Sequence, residues 1–125
     1  MANPNIVNVN NITGLTTFVS IGNTNTYNLI LSNSASSNSV YKVNTIIASN
    51  IDGSSNVDVT VSLFSQAVGA GVSTPLVYTT TVPAKGTLVV LGKDTPIYLE
   101  ENRSISALAS NANRCAIICS YEYIQ

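Results

Sequence analysis

Cys115 and Cys119 are the first residues to weigh for chemistry, because a pair of thiols can cross-link, hold a metal or attack a substrate. Four apart on a strand they share a face, but their Cα atoms stand about 13 Å apart at about 3.3 Å per residue. A disulfide reaches only about 7 Å between Cα atoms, so the two cannot pair with each other there. The chain has no histidine and no third cysteine, which leaves a thiolate metal site incomplete and both thiols without an activating base. The same absence excludes a Ser-His-Asp triad. Both cysteines therefore read as small buried apolar residues. Glu100 and Glu101 are adjacent carboxylates, and the expectation for them is a solvated turn rather than an acid–base pair. Asn50, Asp52, Ser54, Asn56 and Asp58 alternate as oxygen ligands would for calcium, yet Gly53 is misplaced for an EF-hand loop and no acidic residue closes it. A hairpin turn centred on Asp52-Gly53 explains the same residues. Gly69-Ala70-Gly71 lacks the Lys-Ser/Thr and the helix of a phosphate loop. No catalytic residue, cofactor or metal ligand emerges, and the expectation is a protein that is not an enzyme and acts by binding or assembling.

The elements that carry these residues are strands. β-Branched residues recur in short runs separated by Asn, Gly, Ser and Pro. Val57, Val59, Val61 and Leu63 alternate with Asp58, Thr60 and Ser62. The last strand places Cys115, Ile117, Cys119, Tyr121 and Tyr123 on one face, and Ala116, Ile118, Ser120, Glu122 and Ile124 on the other. Ile118 and Ile124 on that second face imply that it too is partly covered, by a neighbouring chain or a loop. Further strands are expected at residues 16–20 and 26–31, as a pair around the turn Gly22-Asn23-Thr24-Asn25, and at 41–49, 57–65, 76–82, 87–91, 96–99 and 104–109. Eight to nine short strands with regular turns predict an all-β fold, a single antiparallel β-sandwich of jelly-roll-like or Ig-like type. Residues 13–125 form the sandwich in this reading, and the Asn-rich residues 1–12 form an N-terminal arm.

Composition narrows the function classes. Of 125 residues only 9% are charged, against about 25% in an ordinary globular protein. Asn, Ser and Thr, at 16, 16 and 13 residues, replace the charges. A neutral surface of amides and hydroxyls repels its neighbours weakly, which suits a protein packed among others. Lys42, Lys85, Lys93, Arg103 and Arg114 never cluster, so the cationic footprint of nucleic-acid binding is missing. No apolar run approaches the about 18 residues of a membrane helix. The first residues lack the basic and apolar regions of a signal peptide, so synthesis in a cytoplasm without export by the usual route is expected. Tyrosine buries area while offering a hydroxyl, which makes Tyr121 and Tyr123 candidate interface residues together with Asn5, Ile6 and Val7 of the arm.

Four segments carry a family likeness: the opening Met1-Ala2-Asn3-Pro4-Asn5-Ile6-Val7-Asn8-Val9, then Tyr41-Lys42-Val43-Asn44-Thr45-Ile46 with Ser49-Asn50-Ile51-Asp52-Gly53, the closing Cys119-Ser120-Tyr121-Glu122, and, most specific, the run from Val82-Pro83-Ala84-Lys85-Gly86 through Leu91-Gly92-Lys93-Asp94-Thr95 to Pro96-Ile97-Tyr98-Leu99-Glu100-Glu101. Together they resemble a family of small virion structural proteins of contractile-tailed phages that infect cyanobacteria and related bacteria. The resemblance covers most of the chain and carries over no catalytic residue. It implies a particle component located in the virion and made in the host cytoplasm. The expected role is capsid decoration, with a neck or tail accessory or a carbohydrate-binding adhesion module as the alternative. The implied partners are other capsid or tail proteins and further copies of the chain. Asn102 stands where the family's turn would call for Gly, and Asn is the next best residue for a left-handed backbone. Residues 66–74 resemble an insertion.

Overall fold

The computed structural model describes Pro4 and residues 7–125. Nine strands follow one another as β1 (Ile12–Ser20), β2 (Asn28–Asn33), β3 (Val40–Asn50), β4 (Val57–Phe64), β5 (Ser73–Val82), β6 (Thr87–Leu91), β7 (Ile97–Leu99), β8 (Arg103–Ala109) and β9 (Cys115–Ile124). A 3-10 turn, Ala67–Gly69, lies between β4 and β5. The expected β-sandwich is what forms: a five-stranded sheet ordered β1-β9-β3-β6, with β7 also on β3, packs on a four-stranded sheet ordered β2-β8-β4-β5. Every pairing is antiparallel, and the pairs nest: β1 with β9, β2 with β8, β3 with β6 and β7, β4 with β5. Nested pairing of this kind is the jelly roll, a long hairpin folded back over two sheets.

The expected pairing of the first two strands is corrected. β1 and β2 lie in different sheets. The chain crosses between them at Ile21, which is fully buried and is tied on both sides: its amide donates to the Cys115 carbonyl at 2.9 Å, and its carbonyl accepts from the Asn113 amide at 2.7 Å. Burying Ile21 at the end of the core outweighs closing a tight hairpin around the Asn-rich turn.

Alternation accounts for the core. Val57, Val59 and Val61 of β4 and Ile105, Ala107 and Ala109 of β8 face Val43, Ile46 and Ala48 of β3 and Cys115, Ile117 and Cys119 of β9. A bulge between Val43 and Thr45 adds one residue to β3, so that Val43 and Ile46 both point inward. The β1–β9 ladder starts ahead of β1 itself. The Asn10 and Asn11 amides donate to the Gln125 carbonyl at 2.8 and 3.1 Å, and the Gln125 amide donates to the Asn11 carbonyl at 3.1 Å. The ladder thus begins inside the segment expected to be an arm.

Candidate interface on the outer face of the five-stranded sheet

The residues singled out for chemistry are placed as structural parts. Cys115 and Cys119 are fully inaccessible and unbridged, and burial pushes their thiols up to about 11 and about 12. Asn50, Asp52 and Asp58 of the oxygen-rich stretch are engaged within the fold. Asn50 Nδ2 donates to the Ser55 and Val82 carbonyls at 2.9 and 3.0 Å, and the Asp52 amide donates to Asn50 Oδ1 at 2.9 Å. Asp52 accepts from the Ser54 amide at 3.1 Å, and that bond, assisted by Arg114 at 2.9 Å, holds its carboxyl below the usual range. Asp58 accepts from the Thr81 hydroxyl at 2.7 Å. Among the described residues no cluster of acidic, Cys or His side chains is arranged to hold a metal.

The solvated turn expected at Glu100 and Glu101 is half corrected. Glu100 is exposed, but Glu101 is only 4% exposed. Strand alternation runs on past β7, with Leu99 in, Glu100 out and Glu101 in, before Asn102 turns the chain in the left-handed conformation with φ of 57°. The turn tolerated by Asn102 is therefore present as expected, and Asn102 Oδ1 also accepts the Ala67 amide at 3.1 Å.

Tyr121 and Tyr123 are half-buried on the core side of β9. Both rings pack on Tyr41, with centroids 5.3 and 5.1 Å away, so these three residues close one end of the sandwich. Val7 is 91% exposed. Asn5 and Ile6 lie outside the described residues.

The two outer sheet faces differ sharply. On the four-stranded sheet the chain roofs itself. Residues 66–72 lie over β2 and β8: the Val68 amide donates to Ser32 Oγ at 3.0 Å, the Gly69 amide to Ser104 Oγ at 2.8 Å, and Ser104 Oγ to the Gln66 carbonyl at 2.7 Å. Tyr27 covers Phe64 edge-on, with centroids 4.9 Å apart, and its hydroxyl lies 3.3 Å from Ser62 Oγ. Phe64, Ser62, Ser104 and Ser106 are buried in consequence.

The five-stranded sheet has no such roof over its centre among the described residues. Register aligns one apolar row across it: Phe18 of β1 opposes Ile118 of β9, Ile118 opposes Ile47 of β3, and Ile47 opposes Val89 of β6. Phe18 is 79% exposed, Val89 62% and Ile118 38%, with Ile47 half-buried. A rail of short residues lies on each side, Thr16-Ser120-Thr45 on one and Ser20-Ala116-Ser49-Thr87 on the other. The next row is Gly14-Glu122-Lys42-Tyr98, where Lys42 and Glu122 form a 3.9 Å ion pair. Sequence reading placed Ile118 on a second face to be covered. It could not find Phe18, Ile47 and Val89 as its neighbours, because their alignment depends on the register of four distant segments.

Fold and face together define a jelly-roll sandwich in which the chain covers the outer face of one sheet and, among the described residues, leaves the centre of the other open. The sequence matches no protein-family model and no curated protein. Among solved structures, it is similar to a subunit of the disulfide-linked pili that form Bacillus endospore appendages. The likeness has a TM-score of 0.51 and 14% identity over 91% of this chain and 88% of that one. At that identity the similarity concerns the fold.

Proposed function

We propose that this chain is a non-enzymatic structural subunit of a phage virion, most simply a decoration protein bound to the outer capsid shell. The observation that carries the assembly part of the reading is the apolar row Phe18-Ile118-Ile47-Val89, uncovered among the described residues, on a sheet face whose ladders carry only the paired charges of Lys42 and Glu122. Such a face loses little by desolvation and gains by burial. Many weak contacts in a closed lattice then add by avidity. The run from Val82 to Glu101 supplies the resemblance to virion proteins, and the absence of histidine leaves no ready proton shuttle. Cryo-EM of purified particles with mass spectrometry tests the reading. Hundreds of copies over the head are expected. A single ring at the neck or tail would move the role to an accessory there, and absence from particles would overturn it.

A second reading, a subunit of a surface filament, is favoured by the edge of β1. This nine-residue strand carries no charge, proline or bulge in its ladder with β9. The other edges are guarded: β5 by Pro75 and two register shifts, β2 by a bulge, and β6 and β7 by shortness. An unguarded edge is a template for a strand of another chain. The fold is shared with the subunit of a Bacillus pilus. Filaments growing from the purified chain, with no association with phage heads, would select this reading over decoration.

A further inference from the structure

We infer that the outer face of the five-stranded sheet binds a second copy of this chain, face to face, about a two-fold axis that runs parallel to the strands between β9 and β3. The inference deepens the reading of this face as the assembly surface and rests on it.

Charge selects the occupant. In the ladders of β1, β9, β3, β6 and β7 the only charges on this face are Lys42 and Glu122, and they sit directly opposite each other on the two central strands. A two-fold axis between those strands lays β9 of one copy over β3 of the other. Lys42 then meets Glu122 of the second copy, and Glu122 meets Lys42 of the second copy. Four charges alternate in sign around the axis, so the pair that each copy exposes is complementary to itself.

Shape and polarity agree with the same operation. Ile118 lies over Ile47 of the second copy and Phe18 over Val89, which joins the two apolar rows along their length. Tyr98, 47% exposed, lies over Gly14, whose missing side chain leaves open space around it. The rails meet as small residues on small residues, with Ala116 over Ser49. Aligned sheets packed about 10 Å apart are the geometry of the sandwich interior itself. Size is adequate too. Four strands about 4.8 Å apart, along a ladder about 30 Å long, present about 550 Å² in projection. That is on the scale of the about 800 Å² of accessible surface per partner in a standard interface.

Sedimentation of the full chain tests this. The wild type is expected to sediment at twice the 13.1 kDa chain mass. Phe18→Ser alters an exposed side chain, so it should keep its circular dichroism and weaken the dimer about 10-fold or more. Lys42→Glu and Glu122→Lys each place like charges across the axis and should be monomeric alone. An equimolar mixture of the two restores opposite charges at both contacts between chains, although not within either chain, and should recover the dimer. A monomeric wild type overturns the inference. If a form lacking residues 1–9 then dimerised, the occupant of the row would be the chain's own N-terminal segment. Dimers that ignore Phe18→Ser, or charge variants that fail to recover on mixing, overturn it as well. A monomer abundant in purified particles sinks the self-pairing and leaves the particle reading intact, and a dimer absent from particles does the reverse.

Discussion

Two buried asparagines show why an Asn-rich sequence need not be a loose one. Asn33 and Asn50 are 0% and 3% exposed. Asn33 Nδ2 donates to the Ser39 and Leu99 carbonyls at 2.9 and 3.0 Å, and its Oδ1 accepts from Ser37 at 2.6 Å. Asn50 does the same work at the end of β3, joining the Ser55 and Val82 carbonyls. Each closes a sheet end where backbone carbonyls would otherwise be buried unmet. Asn50→Ala is expected to destabilise the fold by about 1–3 kcal/mol, read as a lower urea midpoint with an unchanged slope. The cysteines make the opposite prediction, about pH. Their thiols ionise near 9.0 in the unfolded chain and at about 11 and about 12 in the fold. Above pH 9 the unfolded state loses protons that the native state keeps, so stability is full below pH 9 and falls as pH climbs toward those values. Tyr41 and Tyr121, raised chiefly by burial, add to the same trend. The melting temperature should drop across that window, and Cys119→Ala should shallow the drop while lowering the value at pH 7. Native protein at pH 8 should leave both thiols unreactive to a disulfide reagent until urea opens the core.

At the scale of elements, the loop of residues 66–72 is a fastening. Ser104 Oγ, fully buried, donates to the Gln66 carbonyl and accepts the Gly69 amide. Ser104→Ala leaves both groups short of a partner beneath the loop, an expected loss of about 1–3 kcal/mol. The local effect should exceed the global one, seen as faster amide exchange at Gly69 than in β4. Strand positions were mostly legible because alternation is a local signal: β6 matches residues 87–91 outright, and β4 and β8 differ from expectation by one residue at an end. The front of β1 was hidden by Gly14 and the Asn-rich run before it, and the front of β5 by Pro75. A proline fits an edge strand whose outward amide has no partner. Pairing was less legible than position. The segments of β1 and β2 resemble a hairpin locally, but the nested order is decided by Ile21 and by β9, about a hundred residues downstream of β1, which no local pattern encodes. The apolar row was hidden for the same reason.

The sandwich is closed by its outermost strands in sequence. β9 lies between β1 and β3, so β1 and β9 share one long ladder, and the five-stranded sheet is incomplete until β9 arrives. Long-range pairing of this kind folds slowly, in the millisecond-to-second range typical of all-β domains. It also fixes where the chain can be shortened. Deleting residues 1–9 leaves every bond of the β1–β9 ladder in place, so the fold and its cooperative melting should be retained. Deleting residues 1–20 removes β1, bares the far edge of β9 and takes with it Phe18, one end of the apolar row, and it should abolish cooperative melting. Residues 10–12 lie between these limits: their removal strips the bonds to Gln125 and the Ile12–Ile124 pair, and a fall of several degrees with the fold retained is expected. The three truncations, compared by thermal melting and by sedimentation, separate the two ways the N-terminal segment could matter. If the shortest deletion melts like the full chain yet assembles less, residues 1–9 act between subunits as an arm. If it also assembles like the full chain, the sheet face alone carries the association.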